Sequence, residues 1–120
     1  MSKEWIEIEP KGNAIFYLEN ESAPWERTYH CTELIYPYLV VFGGEGVTDM
    51  DDLWLFNLET LRWKEIQMDK NKPRPCGRRF HSSAVIGNEF YIIGGCHGKY
   101  RCLSDVYSLD LTPLIKEGDI

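Results

Sequence analysis

Short apolar runs broken by glycine, proline and acidic residues set the rhythm of this chain, and most of one unit returns in the next. The run Leu39 to Phe42 ends in Gly43-Gly44, an acidic loop leads to Leu53-Trp54-Leu55-Phe56, and Trp63 closes the unit. Downstream, Phe90 to Ile93 runs into Gly94-Gly95, and Val106-Tyr107-Ser108-Leu109 follows. The pattern predicts strands over 30–35, 38–43, 52–57 and 62–67, then over 81–86, 89–94 and 104–110. Tyr36-Pro37, Gly87-Asn88 and Glu59-Thr60 mark the reversals, since proline fixes φ and glycine permits positive φ. The segments around Trp54 and Tyr107 are apolar on both faces, as a sheet held between two neighbours requires.

Trp5-Ile6-Glu7-Ile8 alternates like a half-buried strand and resembles Trp63-Lys64-Glu65-Ile66. It reads as the outer strand of a preceding unit. The connection after it carries an insertion that includes Ala14 to Leu18, expected as a short added strand or as a loop packed on the sheet.

The repeat has a fixed period. Pro24, Arg27, His30 and Gly43-Gly44 return 51 residues later as Pro75, Arg78, His81 and Gly94-Gly95. Such self-similarity marks supersecondary units that each need a neighbour to bury an apolar face. On the Arg-x-x-His of Arg27 to His30 and Arg78 to His81, both glycine pairs, Trp54, Tyr107 and Trp63, the chain resembles a kelch repeat protein.

That resemblance implies an all-β fold of kelch β-propeller blades, each a four-stranded antiparallel sheet with strands a to d from the channel outward. Kelch repeats run to about 50 residues and propellers close with about 4 to 8 blades. Two blades therefore make a partial propeller, or one completed by oligomerisation. The expected division is 1–23, an outer strand and inserted connection; 24–67, a complete blade; and 68–120, a blade without its outer strand, with a C-terminal tail. The surplus outer strand matches the deficit, so further blades of a longer protein or other copies, including a head-to-tail trimer, are expected to complete the ring.

Net charge −6 and an acidic pI near 5.0 oppose a general affinity for nucleic acid or an anionic membrane. The N-terminal MSKEWIEIEP has no signal-like apolar region, and the apolar runs are too short to span a bilayer. Four cysteines, Cys31, Cys76, Cys96 and Cys102, lack C-x-x-C pairing and read as free thiols, which points to a cytoplasmic protein.

Little in the chain suggests catalysis. No P-loop signature accompanies the glycine pairs, which serve instead where strands end in unusual backbone angles. His30 and His81 recur at one repeat position, which favours a repeated hydrogen bond over catalysis. Cys96, His97 and Cys102 have irregular spacing for a closed zinc site, so neither metal nor cofactor is expected. Among kelch folds a galactose-oxidase-like copper enzyme is the rival reading, but it draws its constellation from more blades than two.

The loops carry more. In kelch propellers the d-to-a and b-to-c connections share one face, and relatives commonly grip peptides there. One such connection here offers Lys70, Lys72, Arg74, Arg78 and Arg79; another offers His97, Lys99, Tyr100 and Arg101. The first b-to-c loop is acidic, with Glu45, Asp49, Asp51 and Asp52. Adjacent basic and acidic loops would orient a protein partner or acidic peptide, and the alternative is solvated surface. Arg27 and Arg78 have a second reading, in which each braces its own blade. The expected function is a non-enzymatic protein-protein interaction module, with a structural subunit of a larger assembly as the alternative.

Overall fold

The computed structural model describes residues 4–8 and 24–117. Four strands, β1 (Cys31–Ile35), β2 (Tyr38–Phe42), β3 (Leu53–Asn57) and β4 (Arg62–Ile66), form one antiparallel sheet in chain order. A second sheet holds β5 (Ser82–Ile86), β6 (Glu89–His97) and β7 (Arg101–Asp110), and the short helix α1 (Thr112–Glu117) follows. Two-residue reversals join β1 to β2 at Tyr36-Pro37 and β5 to β6 at Gly87-Asn88, where Gly87 has φ 62°. Between β3 and β4 the side-chain oxygen of Asn57 accepts the backbone N–H groups of Glu59 and Thr60, an Asx turn that fixes the reversal.

The sheets pack face to face. The first contributes Cys31, Ile35, Tyr38, Val40, Phe42, Leu53 and Leu55, and the second contributes Phe90 and Ile92 with partly buried Val85, Tyr107 and Leu109. Leu111 is buried, and Leu114 and Ile115 of α1 pack onto the same core. Each fully buried aliphatic or aromatic side chain contributes roughly 1.5–3 kcal/mol, so this shared interface is the main source of stability. On the far face of the second sheet Ile86, Ile93 and Val106 are exposed, and β7 is an edge with only β6 beside it among the described residues.

Several expectations need correction. The second b-to-c connection is no long loop: β6 and β7 run past the expected 94 and 104 to a tight turn at Gly98-Lys99-Tyr100. A backbone bridge between Arg79 and Cys96 holds this extension as part of a ladder. Residues 4–8 carry no strand, and Trp5, Ile6 and Ile8 are exposed, because no described sheet edge lies against them. The segment Ala14 to Leu18 lies outside the described residues. The tail contains α1, which the sequence reading lacked.

Trp63 is half-buried on the face of its own sheet that points away from the second, edge-to-face with Trp54 (ring centroids 6.2 Å apart) and tilted on Phe56 (4.8 Å). It is not wedged between the two sheets. The glycine pairs do have steric cause: a Cβ on Gly44 (φ 105°) or Gly95 (φ 102°) would meet the Thr28 or Arg79 carbonyl oxygen at 2.7 Å. Backbone therefore approaches backbone where strand a meets the end of strand b.

Replacing Trp63 with alanine should lower unfolding stability by about 2 kcal/mol, less than the roughly 3–5 kcal/mol of a fully buried aromatic. Lys70→Ala, on the exposed surface, should shift it by less than about 0.5 kcal/mol. Urea midpoints of the two variants check the order.

Candidate functional site

The antiparallel order places the acidic loop 43–52, the connection 67–79 and the turn 98–100 at one end of the two sheets. Arginines organise that end. Arg27 makes a bidentate pair with Asp52 (2.6 and 2.9 Å) and donates to the carbonyls of Gly43 (3.1 Å) and Trp25 (3.0 Å). Arg78 repeats every element with Asp105 (2.6 and 3.0 Å), Gly94 (3.0 Å) and Cys76 (3.1 Å). Its side chain is fully buried. Planar guanidinium forks suit this task because they satisfy a carboxylate and a strand-end carbonyl together. Arg78 thus leaves the list of rim residues, since its donors are spent inside its own blade.

The remaining basic residues divide. Arg79 grips Asp49 (2.8 and 2.9 Å) and donates to the Gly98 carbonyl (2.9 Å), while Gly98 N–H also donates to Asp49. Arg74 pairs with Asp51 at 3.1 Å. His97 Nδ1 lies against the Gly77 carbonyl. Asp49 and Asp51 of the acidic loop therefore bind Arg79 and Arg74 of the basic connection, and Asp52 binds Arg27, instead of standing ready as separate charges, which corrects the expectation for these residues; Glu45 stays exposed. Lys70, Lys72, Lys99, Tyr100 and Arg101 stay exposed, with Tyr100 at 88% and the Lys99 ammonium 5.8 Å from its ring.

The carboxylates respond to these partners. Burial pushes Asp52 upward, but its bonds from Arg27 and Trp54 and the arginine charge outweigh that and hold it below the usual range. The Arg78 hydrogen bond leads the same effect at Asp105. At Asp49 burial is again overcome, by the Gly98 N–H and by Arg79.

The repeated histidines do not share one environment. His81 is buried at the joint between the sheets, its Nε2 2.9 Å from the Phe42 carbonyl and 3.0 Å from Cys31 Sγ. A carbonyl only accepts, so Nε2 carries the proton, and Nδ1 is left buried without a partner. Burial chiefly lowers the imidazole pKa, since a second proton on Nδ1 would have no acceptor. His30 occupies the equivalent position on the first sheet and is exposed. Burial also raises the Cys31 thiol to about 11, so it is unreactive at neutral pH.

Between the sheets, beneath the connection 67–79, lies a cleft of about 90 Å³ lined by Phe42, Leu53, Met68, Pro75, Phe90 and Tyr107, with Asp51 and Arg74 also at its wall. Sequence reasoning missed it, because its lining residues are far apart in the chain. No group of three or more His, Cys, Asp or Glu side chains among the described residues is placed to hold a metal ion. No helix among them is long and apolar enough to cross a membrane.

A four-stranded and a three-stranded antiparallel sheet, packed face to face with matching arginine braces, define partial β-propeller blades. A family model described as the KLHDC2/KLHL20/DRC7 Kelch-repeats domain matches residues 1–115, and the chain belongs to the kelch repeat family. It is 42% identical over 59 residues to host cell factor 2 of Homo sapiens, covering 49% of this chain and 7% of that protein. It is 41% identical over 76 residues to the leucine-zipper-like transcriptional regulator 1 homolog of Drosophila melanogaster, covering 62% of this chain and 8% of that protein. Host cell factor of the same fly is 35% identical over 92 residues, covering 67% and 6%. The chain thus spans less than a tenth of each of these relatives. The family is consistent with a protein-protein interaction module.

Two measurements test the geometry. Arg78→Ala should cost about 3 kcal/mol, the low end for breaking a buried ion pair because Asp105 is partly solvated, whereas Lys99→Ala should be nearly neutral; denaturant titration separates them. Because the folded-state pKa of His81 lies below its ordinary 6.5, its contribution is fully present above pH 6.5 and is lost as pH falls below that value. Urea midpoints at pH 7.5 and 5.5 should therefore differ more in the native chain than in His81→Gln.

Proposed function

We propose that the chain is a non-enzymatic protein-interaction module that receives an acidic segment of a protein partner at the loop end of its sheets. The observation that carries this reading is the tip of the β6–β7 hairpin, where Tyr100 is 88% exposed between Lys99 and Arg101. An exposed tyrosine offers a large, rigid contact at low entropic cost, and flanking cations steer an acidic partner. Lys70 and Lys72 lie exposed on the connection at the same end. Asp49, Asp51, Asp52 and Asp105 are held in ion pairs, so these four cations outnumber the exposed carboxylates outside salt bridges at this end, Glu26, Glu45 and Asp69.

The test uses a fluorescent glutamate-rich peptide. The double reversal Lys99→Glu with Arg101→Glu should weaken its binding at least about tenfold, the affinity of the native chain should fall with salt, and the urea midpoint should hold. Arg74 is left in place because its reversal would break the contact to Asp51. Affinity insensitive to both salt and the double variant would put the partner elsewhere.

A second observation favours further kelch blades as partners. Ile86, Ile93 and Val106 are exposed on the face that corresponds, by repeat position, to the buried Ile35, Phe42 and Leu53 of the first sheet. We infer that blades of a longer protein, or other copies in a head-to-tail ring, cover it. By the pairing of Trp63 to Ile66 with Phe56 to Leu53, Trp5 to Ile8 of another copy would align with Leu109 to Val106. Light scattering over a range of concentrations should reveal a trimer that is lost on removing residues 1–9; a stably folded, concentration-independent monomer would overturn the need for other blades.

A further inference from the structure

We propose that Cys96 and Cys102 form a redox-active cross-strand pair whose oxidation to a disulfide staples the β6–β7 hairpin. The two residues are direct partners in the antiparallel register, one step inside His97↔Arg101 and the turn Gly98-Lys99-Tyr100. Opposed residues in such a ladder project to the same face, with Cβ atoms about 4.5–5.5 Å apart. Antiparallel pairs come in two kinds, and the backbone shows which this is. Cys96 N–H donates to the Arg79 carbonyl at 2.8 Å, and Arg79 N–H donates to the Cys96 carbonyl at 3.0 Å. In an antiparallel ladder one residue's N–H and C=O point to the same side, so both polar groups of Cys96 face Arg79 and neither faces Cys102.

Cys96 and Cys102 are therefore a non-hydrogen-bonded pair, the closer kind, with Cα atoms about 4.5 Å apart. That falls within the span of about 4.4–6.8 Å that a disulfide bridges, so the bond forms with the strand pairing kept. Access also separates these thiols from the others. Cys102 is exposed and Cys96 half-buried, whereas Cys31 is sealed against His81 and Phe42. Cys76 sits on a different segment, beside the Arg78 guanidinium.

The oxidant is a small-molecule disulfide such as glutathione disulfide. The Cys102 thiolate attacks one of its sulfurs and expels one glutathione thiolate, leaving a mixed disulfide on Cys102. The Cys96 thiolate then attacks the Cys102 sulfur and expels the second. Two protein thiols become one disulfide, and one glutathione disulfide becomes two glutathione thiols, with the two thiol protons passing to the leaving thiolates. The five residues 97–101 are then closed in a covalent loop. Where the hairpin tip binds a partner, which rests on the reading above, this chemistry sets its rigidity.

The experiment equilibrates the folded native chain with glutathione and its disulfide at graded ratios, alkylates the remaining thiols, and maps tryptic peptides without reduction. Trypsin cuts after Arg79, Lys99, Arg101 and Lys116, so a Cys96–Cys102 bond holds the peptides 80–99 and 102–116 together until a reductant parts them. The expected result is that linked pair as the main oxidised product, with two of the four thiols lost and Cys31 and Cys76 still alkylated on unfolding. Cys102→Ser, at an exposed position, should abolish the link and keep the far-ultraviolet spectrum. Glutathione left on Cys102 with no link, or Cys76 bonded to either partner, would overturn the proposal.

Discussion

Each blade of this protein depends on an arginine that ties the glycine pair of strand b to an aspartate of strand c. The constraint comes from the glycine pair: Gly43-Gly44 and Gly94-Gly95 bend the chain through left-handed angles, and the carbonyl of the first glycine in each pair needs a donor near the blade centre. Arg27 and Arg78 supply it, and an aspartate, Asp52 just before β3 or Asp105 within β7, neutralises the charge that this places inside. Removing the cation would leave the carboxylate, the glycine carbonyl and the carbonyl two residues upstream without their common donor. Such a network is worth keeping because its parts are satisfied together.

From these braces the loop end gains its order. Arg79, next to the second brace, reaches both Asp49 of the first blade and the turn at Gly98, so neighbouring connections are cross-linked by charge. His81 joins the same region to strand b of the first sheet. The consequence for function is subtraction: most of the charge visible at this end is consumed internally. The cations that stay exposed are those of a short hairpin tip and a lysine-bearing connection, both joined to this ion-paired base.

The two sheets also show why one blade is not a stable object alone. The face of the first that meets the second is packed with buried aliphatic and aromatic side chains, while the corresponding face of the second carries the same kind of residue in solvent. A propeller blade is complete only when both faces are covered, and the exposed His30, set against the buried His81, reports the same asymmetry in a polar residue.

The sequence by itself determined the strand order, the turns and the identity of the structural positions, because a repeat of 51 residues superposes Arg27 on Arg78 and each glycine pair on the other. It also displayed both signs of charge in the loops. The aspartate partners stayed hidden, since Asp52 and Asp105 are 53 apart and fall out of step with the arginines. That extra spacing is the longer β6–β7 hairpin, which no local propensity announced; the bridge from Cys96 to Arg79 at its base recurs in the first blade as Glu45 to Thr28, and only the second blade continues from it into paired strands. Which charges remain free was decided only by tertiary structure, for pairing across loops depends on where separate strands end. The same holds for Cys96 and Cys102, whose opposition is a matter of register, and register is fixed by the partner strand on either side.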